Sequence, residues 1–288
     1  MRILITLMDR LGGMLFNVFK DAGNIFLLGL SCIRWMLRLR IFMRQILQQS
    51  WFIGIESIPV VAATGAFAGM VLVYESYSQL NRLGMDTMVG PLAASSLVLQ
   101  LGPVLVGIML AGRVGGAMTA ELGTMNVTEQ IDALETMGTH HVPYLVLPRV
   151  IASTLLAPVL NGVAMVVGVL AAFALAIHGL GVQEHFVWEQ TKAFIRPYNY
   201  FCSSLKAGTF GFVMALICCN KGITTTGGAA GVGESTTSAN VSCCIAILLL
   251  NLFLTMLLFV LEPILNPPVE ELWALITKLM EVIRNAAS

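Results

Sequence analysis

Three carboxylates follow one another closely in the segment between two long apolar runs. Glu129, Asp132 and Glu135 recur at three-residue intervals, so on a helix they would lie along one face. Converging carboxylates can perform acid–base chemistry or bind a metal ion. They are the sequence's candidate for a membrane-embedded lipid-modifying enzyme, although no metal-type motif accompanies them.

The same segment also has the pattern of a short docking helix. Asn126 followed by Glu129 resembles a capping box, and Gly138 is typical of the position just past a helix end. The apolar stripe of this predicted helix comprises Val127, Ile131 and Leu134. Such a helix can dock in a groove of a cytoplasmic partner and transmit its motion, or it can pack on its own chain; the pattern leaves both open.

Lys206 is a cation inside an otherwise apolar run. On a helix that begins near Tyr198 it would lie about 12 Å along the axis, at about 1.5 Å per residue. An ammonium at that depth costs a few kcal/mol if it faces lipid, and little if it faces a hydrated cavity where it can contact a phosphate. The sequence leaves two positions open: Lys206 faces such a cavity or its mouth, or it is an interfacial anchor that snorkels.

The remaining motifs point away from catalysis in this chain. The stretch 227–233 has the glycine density of a phosphate loop, but Glu234 stands where that loop requires a lysine. The adjacent pairs Cys218-Cys219 and Cys243-Cys244 do not have metal-ligand spacing and suit packing between helices. We therefore predict no catalytic residue and no metal site, and we assign any ATP hydrolysis to a partner.

The composition is that of a chain solvated by lipid. Hydrophobic residues make up 57% of the 288 residues and charged residues only 11%, with a mean hydropathy of +0.84. A soluble domain carries roughly 25% charged residues. The formal net charge of +0 argues against a nucleic-acid partner.

Uncharged runs predict an all-α integral membrane protein with about five transmembrane helices. Four of these runs can each cross a hydrocarbon core of about 30 Å. The fourth in chain order, Ala207 to Asn220, is too short alone and spans only if its helix begins near Tyr198 and includes Lys206. Lysines and arginines concentrate before the first run, which predicts a cytoplasmic N-terminus and, after five spans, a periplasmic C-terminus. The predicted spans cover about residues 53–75, 87–112, 150–180, 199–220 and 236–261.

Two amphipathic segments flank the predicted membrane domain, which we place at residues 45–261. Residues 1–44 read as an interfacial helix followed by a basic arm on the membrane surface, with Arg10, Arg38 and Arg44 among its cations. Residues 262–288 read as a second amphipathic tail on the opposite side.

Four motifs of this chain resemble the MlaE/YrbE family of ABC transporter permeases. The longest runs from Ala111 to Gly138 (AGRVGGAMTAELGTMNVTEQIDALETMG). The others are Tyr144 to Arg149 (YLVLPR) and the stretch 225–237 (TTGGAAGVGESTT), and Leu101-Gly-Pro also matches. The resemblance extends over roughly residues 46–260, and its long central motif is specific.

The resemblance implies a function and a set of partners. Such permeases are homodimers in the bacterial inner membrane that bind two cytoplasmic ABC ATPase subunits, and ATP and magnesium bind there and not to the permease. They work with an anchored MCE-domain protein of the MlaD type, and often with a small STAS-domain protein. The cargo is phospholipid, moved between the inner membrane and the outer envelope. The acidic loop helix, from Val127 to Glu135, would be the coupling helix that docks on the ATPase.

The sequence departs from the family pattern near the expected lipid cavity. Many members carry an Arg-Glu pair before Leu101-Gly-Pro, where this chain has Leu99 and Gln100. The family's lysine is present as Lys206, so these three positions are the expected cavity or mouth residues. Ser238 likewise replaces a frequent arginine. A secondary transporter is the remaining alternative, but the internal repeat that often marks such transporters is not detectable.

Overall fold

A computed structural model describes residues 20–35, 43–85, 88–194 and 197–265. These ranges are helical and contain no strand. Five of the helices are long and apolar enough to cross a membrane, which confirms the predicted all-α membrane fold. In chain order the helices are α1 (residues 20–35), α2 (Met43–Leu83), α3 (Val89–Val127), α4 (Gln130–Thr136), α5 (Val142–Gly179), α6 (Glu184–Phe194), α7 (Pro197–Ile223) and α8 (Gly228–Leu265).

The spanning helices continue past the ends of the predicted spans. The first span was expected at residues 53–75, whereas α2 runs from Met43 to Leu83 with a 3-10 turn at Ile55–Ser57. Charged residues end an uncharged run, but they do not end a helix whose backbone hydrogen bonds continue into the interface. Near the start of the predicted span, Glu56 forms an ion pair with Arg113 at 3.1 Å.

Helix α3 accommodates its internal proline with a π-helical turn. Pro103 has no N–H to donate to the carbonyl four residues earlier. The helix widens into a π turn at Leu97–Leu101, directly before Gly102 and Pro103, and a second π turn follows at Ala111–Gly115. Helix α5 has such turns at both ends, at Val142–Val146 and Leu175–Gly179.

Helices α2 and α5 approach each other through small residues. A Cβ added at Gly65 would lie 2.5 Å from Ala164 O, and one at Gly69 would collide with Gly168 O. This backbone-to-backbone contact shows that Gly65-x-x-x-Gly69 serves packing within the chain. The sequence contains a second pair of glycines at this spacing, Gly112-x-x-x-Gly116, but a Cβ at Gly112 would meet no atom within 4 Å.

One end of the helix bundle gathers α1, α4 and the turn between α7 and α8; we call it the loop side. Lys221 Nζ, near the end of α7, lies 2.6 Å from Asp21 Oδ2 of α1. Asn126 Nδ2, near the end of α3, donates to Thr225 O at 2.9 Å. Helix α6 follows α5 at the opposite end, since successive spans cross in opposite directions.

The chain divides into two compact units, residues 1–248 and 249–288, and α8 belongs to both. In the first unit, a buried cluster joins α1, α3, α4, α5 and α7 at the loop side. In the second unit, Leu249, Leu252, Phe253 and Met256 are exposed, as expected for a helix that faces lipid. Most of the predicted tail 262–288, like most of the arm 1–44, lies outside the described residues.

Candidate functional site

Lys206 lies inside the protein, between α7 and α3. Its side chain is among the largest fully buried ones, with 2% of the residue exposed. The ammonium donates to Leu99 O at 3.0 Å and to Gln100 Oε1 at 3.3 Å. The residues expected at the cavity or its mouth are thus adjacent in space, and these contacts draw the ammonium into the bundle.

The acceptor carbonyl is available because of the proline in α3. Leu99 is the residue four positions before Pro103, so its carbonyl is the one that loses an α-helical partner at this proline. An unmet carbonyl in the membrane interior costs several kcal/mol, and the lysine hydrogen bond offsets this cost. Lys206 and the π turn at Leu97–Leu101 therefore form one structural unit.

A second polar group lies near Lys206 on α7. Asn161 Nδ2, on α5, donates to Ser203 Oγ at 3.0 Å, and both residues are fully buried. Asn161 Oδ1 is buried and receives no hydrogen bond from the described part of the chain. Sequence reasoning missed both residues; the available signal was Ser203, three positions before Lys206 and therefore on the same helix face.

An open apolar groove borders the other side of the π turn. It has a volume of about 770 Å³ and is lined almost entirely by apolar residues of α2, together with Leu101 and Leu105 of α3. Leu101 belongs to the π turn whose Leu99 and Gln100 hold Lys206. The π turn therefore lies between the apolar groove and the buried ammonium.

The predicted capping box on the loop side is wrong. Asn126 remains inside α3, where its side chain bonds Thr225 O instead of capping α4. The residue before α4 is Glu129, in a left-handed conformation with φ of 58° and no side-chain cap hydrogen bond. The tight turn between two helices leaves no room for the extended cap that the motif requires.

The predicted end of that helix is confirmed. Gly138 has φ of 77°, a left-handed conformation that glycine adopts without strain. Its N–H donates to Glu135 O at 2.9 Å, and Thr139 N–H donates to Leu134 O at 3.1 Å. This pair of bonds is a Schellman motif.

The apolar stripe of α4 faces its own protein, so Ile131 and Leu134 follow the second of the two alternatives that the pattern left open. Ile131 is 4% exposed and packs with Leu122 and Val146, while Leu134 is partly buried against the same cluster. Val127 is half-buried at the end of α3. The surface that α4 and its flanks leave open comprises Glu129, Asp132, Ala133, Glu135, Thr136 and Met137.

These exposed carboxylates do not converge on a reaction centre. Glu135 pairs with His141, while Glu129 and Asp132 point to the surface. Among the described residues, no group of three or more histidines, cysteines or acidic residues is placed to hold a metal ion. The exposed carboxylates of α4 and its flanks therefore form a charged surface.

Buried and half-buried ion pairs brace the helices that flank α4. Arg149 of α5 is 3% exposed, and it pairs with Glu121 of α3 at 2.8 Å while also donating to Leu145 O. Arg113 of α3 bonds Ser57 and Glu56 of α2. Arg149 therefore ties α5 to α3, and Arg113 ties α3 to α2.

Of the three arginines assigned to the surface arm, the structure describes one. Arg44 is exposed in the first turn of α2, as the arm requires. Arg10 and Arg38 lie outside the described residues.

Comparison with known proteins assigns the chain to a family. The model of the family described as "Permease MlaE" matches residues 46–257. The chain belongs to the MlaE permease family. Similar proteins include a "Probable ABC transporter permease protein" of Rickettsia bellii, 36% identical over 89% of this chain and 99% of its own length. Another from Synechocystis is 39% identical over 85% of this chain and 90% of its own.

A plant protein is also similar to this MlaE permease. "Protein TRIGALACTOSYLDIACYLGLYCEROL 1, chloroplastic" of Arabidopsis thaliana is 36% identical over 78% of this chain and 64% of its own length. The family and the five apolar helices identify the chain as a multi-pass ABC transporter permease. An ABC permease works with an ATPase subunit, so a nucleotide-hydrolysing partner follows from the family.

Proposed function

We propose that this MlaE permease moves phospholipids between the inner membrane and the outer envelope, driven by a separate ATPase. The family assignment supports transport by an ABC system, and the name of the Arabidopsis relative contains that of a lipid. The chain itself is a non-catalytic subunit, with ATP and magnesium at the partner.

One observation carries the choice of cargo: a single π turn has a buried ammonium on one side and an apolar groove on the other. Lys206 contacts the turn through Leu99 and Gln100, and Leu101 of the same turn lines the groove. A phospholipid needs both a cation for its phosphate and an apolar surface for its acyl chains. In this proposal the groove receives an acyl chain and Lys206 attracts the head group.

The ATPase docks on the open face of α4. Glu129 and Asp132 supply negative charges for basic residues of the partner, and exposed Met137 supplies an apolar contact. Ile131 and Leu134 attach α4 to the permease core. Because α4 is held rigidly, motion of the ATPase would be transmitted to the permease. Val127, just before α4, and Glu135, near its end, position the two ends of this helix.

The topology and the other partners follow the family resemblance. The loop side, with exposed Arg44 beside it, faces the cytoplasm, and the chain's C-terminus faces the periplasm. The permease forms a homodimer in the bacterial inner membrane and works with an MCE-domain protein of the MlaD type and a STAS-domain protein.

Photocrosslinking in membranes tests the cargo assignment. A photoreactive amino acid replaces Leu101 in the groove, and in a separate control it replaces Leu170, which is exposed on α5. We expect phospholipid adducts at both positions, with Lys206→Met lowering the yield at Leu101 only. An equal yield at Leu101 with and without Lys206 would contradict a site shared by the lysine and the groove.

A further inference from the structure

A pocket on the loop side lies apart from the Lys206 site. Its volume is about 470 Å³, and it is open to the surface between α1 and the segment that joins α4 to α5. The residues that line it are Ser31, Arg34, Trp35, His140, His141, Val142 and Pro143. The proposed transport function uses none of them.

Helix α1 presents two different faces around this pocket. Ile25, Leu28 and Cys32 pack against the buried cluster of the loop side, which fixes the helix to the bundle. The opposite face is apolar yet open, with exposed fractions of 56–72% at four side chains. These are Phe26, Leu27, Leu30 and Ile33. An exposed apolar face on a membrane protein lies against acyl chains, so α1 lies in the lipid interface.

Arg34 continues that lipid-facing side of α1 and lines the pocket. It follows Leu30 by one turn and Leu27 by two, and it is exposed. Arg34 forms no ion pair with any residue that the structure describes. Its guanidinium can donate two parallel hydrogen bonds to a phosphate.

The rest of the pocket supplies further donors and one aromatic wall. Trp35 and His140 pack with ring centroids 6.1 Å apart, which joins α1 to the segment after α4. His141 already bonds Glu135, the acidic side chain nearest the pocket lining. Arg34 and His140 are therefore the groups left to meet an anion, and Trp35 is of a residue type that is enriched at head-group level.

We propose that this pocket binds the phosphate-bearing head group of an anionic membrane lipid, held as a resident lipid and not as cargo. The exposed apolar face beside Arg34 favours a lipid over a soluble phosphate, because the acyl chains would cover it. Lipid binding in this pocket differs from general electrostatic attraction of anionic lipid to the basic arm, because it requires residues from two separate segments. If this pocket does not bind lipid, the transport proposal remains intact, because the pocket and the Lys206 site share no residue.

Native mass spectrometry of the full-length permease tests the proposal. The protein is supplied with phosphatidylglycerol or phosphatidylcholine, and the lipid retained per chain is counted. We use the Lys206→Met background so that the cargo site contributes little. We expect phosphatidylglycerol to be retained preferentially, and Arg34→Gln with His140→Gln to lower its retention roughly fivefold, the scale expected for removing a cation near an anionic surface.

Lys20→Gln is the matched control, because Lys20 is an exposed cation at the other end of α1. We expect this variant to retain phosphatidylglycerol as the parent does, even in excess inorganic phosphate. Equal losses in the Lys20 and Arg34 variants would mean diffuse attraction and would overturn the proposal. So would unchanged retention in the Arg34 and His140 variant, or displacement of the lipid by inorganic phosphate.

Discussion

The ammonium of Lys206 donates to the backbone carbonyl of Leu99 at 3.0 Å, and Pro103 is the residue that leaves this carbonyl without its usual partner. A proline in one spanning helix is thereby matched by a lysine in another. The cation is held against the π turn whose opposite side borders the apolar groove. This relationship explains how a lysine can remain inside the bundle at low cost.

Replacing Pro103 should loosen the hold on Lys206. Pro103→Ala restores an N–H that can compete with the ammonium for Leu99 O, so the π turn should relax toward α-helical geometry. We expect faster hydrogen exchange at the start of α7 and reduced phospholipid transport. The control is Pro91→Ala, which changes a buried proline of the same helix away from Lys206. Identical exchange around Lys206 in both variants would contradict the role given to Pro103.

Charge reversal on the open face of α4 should release the ATPase. Glu129→Lys with Asp132→Lys removes the negative charges proposed to meet the partner, and both side chains are exposed, so the permease should remain folded. We expect loss of ATPase co-purification. Glu184→Lys with Glu189→Lys makes the same change on α6 at the opposite end and should leave co-purification intact.

Substitutions on the exposed and the buried face of α4 should have different effects in the same co-purification experiment. Met137→Asp, at a side chain that is 71% exposed, should weaken docking without lowering the yield of folded permease. Ile131→Asp should instead lower the yield, because it buries a charge in the core. If Ile131→Asp folded normally and lost only the ATPase, Ile131 would contact the ATPase and would not attach α4 to the permease core.

Because α2 and α5 pack closely at Gly65 and Gly69, adding one methyl group at this contact should lower the stability of the protein. Gly69→Ala places a Cβ against Gly168 O, so α2 and α5 must separate, at a cost of about 1–3 kcal/mol. The measurement is thermal unfolding in detergent. Gly162→Ala on α5 is the matched control, because its Cβ would meet no atom within 4 Å. Equal unfolding temperatures for the two variants would argue against close α2–α5 packing.

The orientation can be tested by labelling single cysteines with a membrane-impermeant maleimide. Lys20→Cys should react from the cytoplasmic side and Arg82→Cys from the outside. Native Cys32 should interfere little, since burial raises the pKa of its thiol to about 11. The reactive thiolate is then scarce at neutral pH and becomes abundant only as the pH approaches that value. Labelling of Lys20→Cys from the outside would reverse the proposed topology.

The sequence predicts some features of this molecule well because they depend on composition or on one residue. Four of the five spans follow from uncharged runs, since the cost of burying charge in lipid is large. Gly138 marks the end of α4 because its left-handed conformation favours glycine. The grouping of Lys206 with Leu99 and Gln100 came from the family pattern, and the structure brings these residues together.

Other features depend on which surfaces meet, and periodicity alone does not supply that information. The stripe of Ile131 and Leu134 fits a partner groove and the permease core equally well, and only the packed bundle decides between them. The capping-box pattern at Asn126 failed because α3 continues through that residue and Thr225 offers its side chain another acceptor. The pairing of Asn161 with Ser203 joins residues distant in sequence and has no local signature.

The most direct measurement is ATP-dependent transfer of phospholipid by the reconstituted permease and its ATPase. Labelled phospholipid should move between permease vesicles and an acceptor carrying the MCE-domain partner, only with ATP and magnesium. Lys206→Met should lower the rate at least about tenfold while ATPase co-purification stays unchanged, because it removes the buried cation from the proposed lipid site. Lys192→Met, which removes an exposed lysine of α6, should transfer at the parental rate. Transfer by Lys206→Met at the parental rate, or no ATP-dependent transfer by the parental permease, would contradict the account.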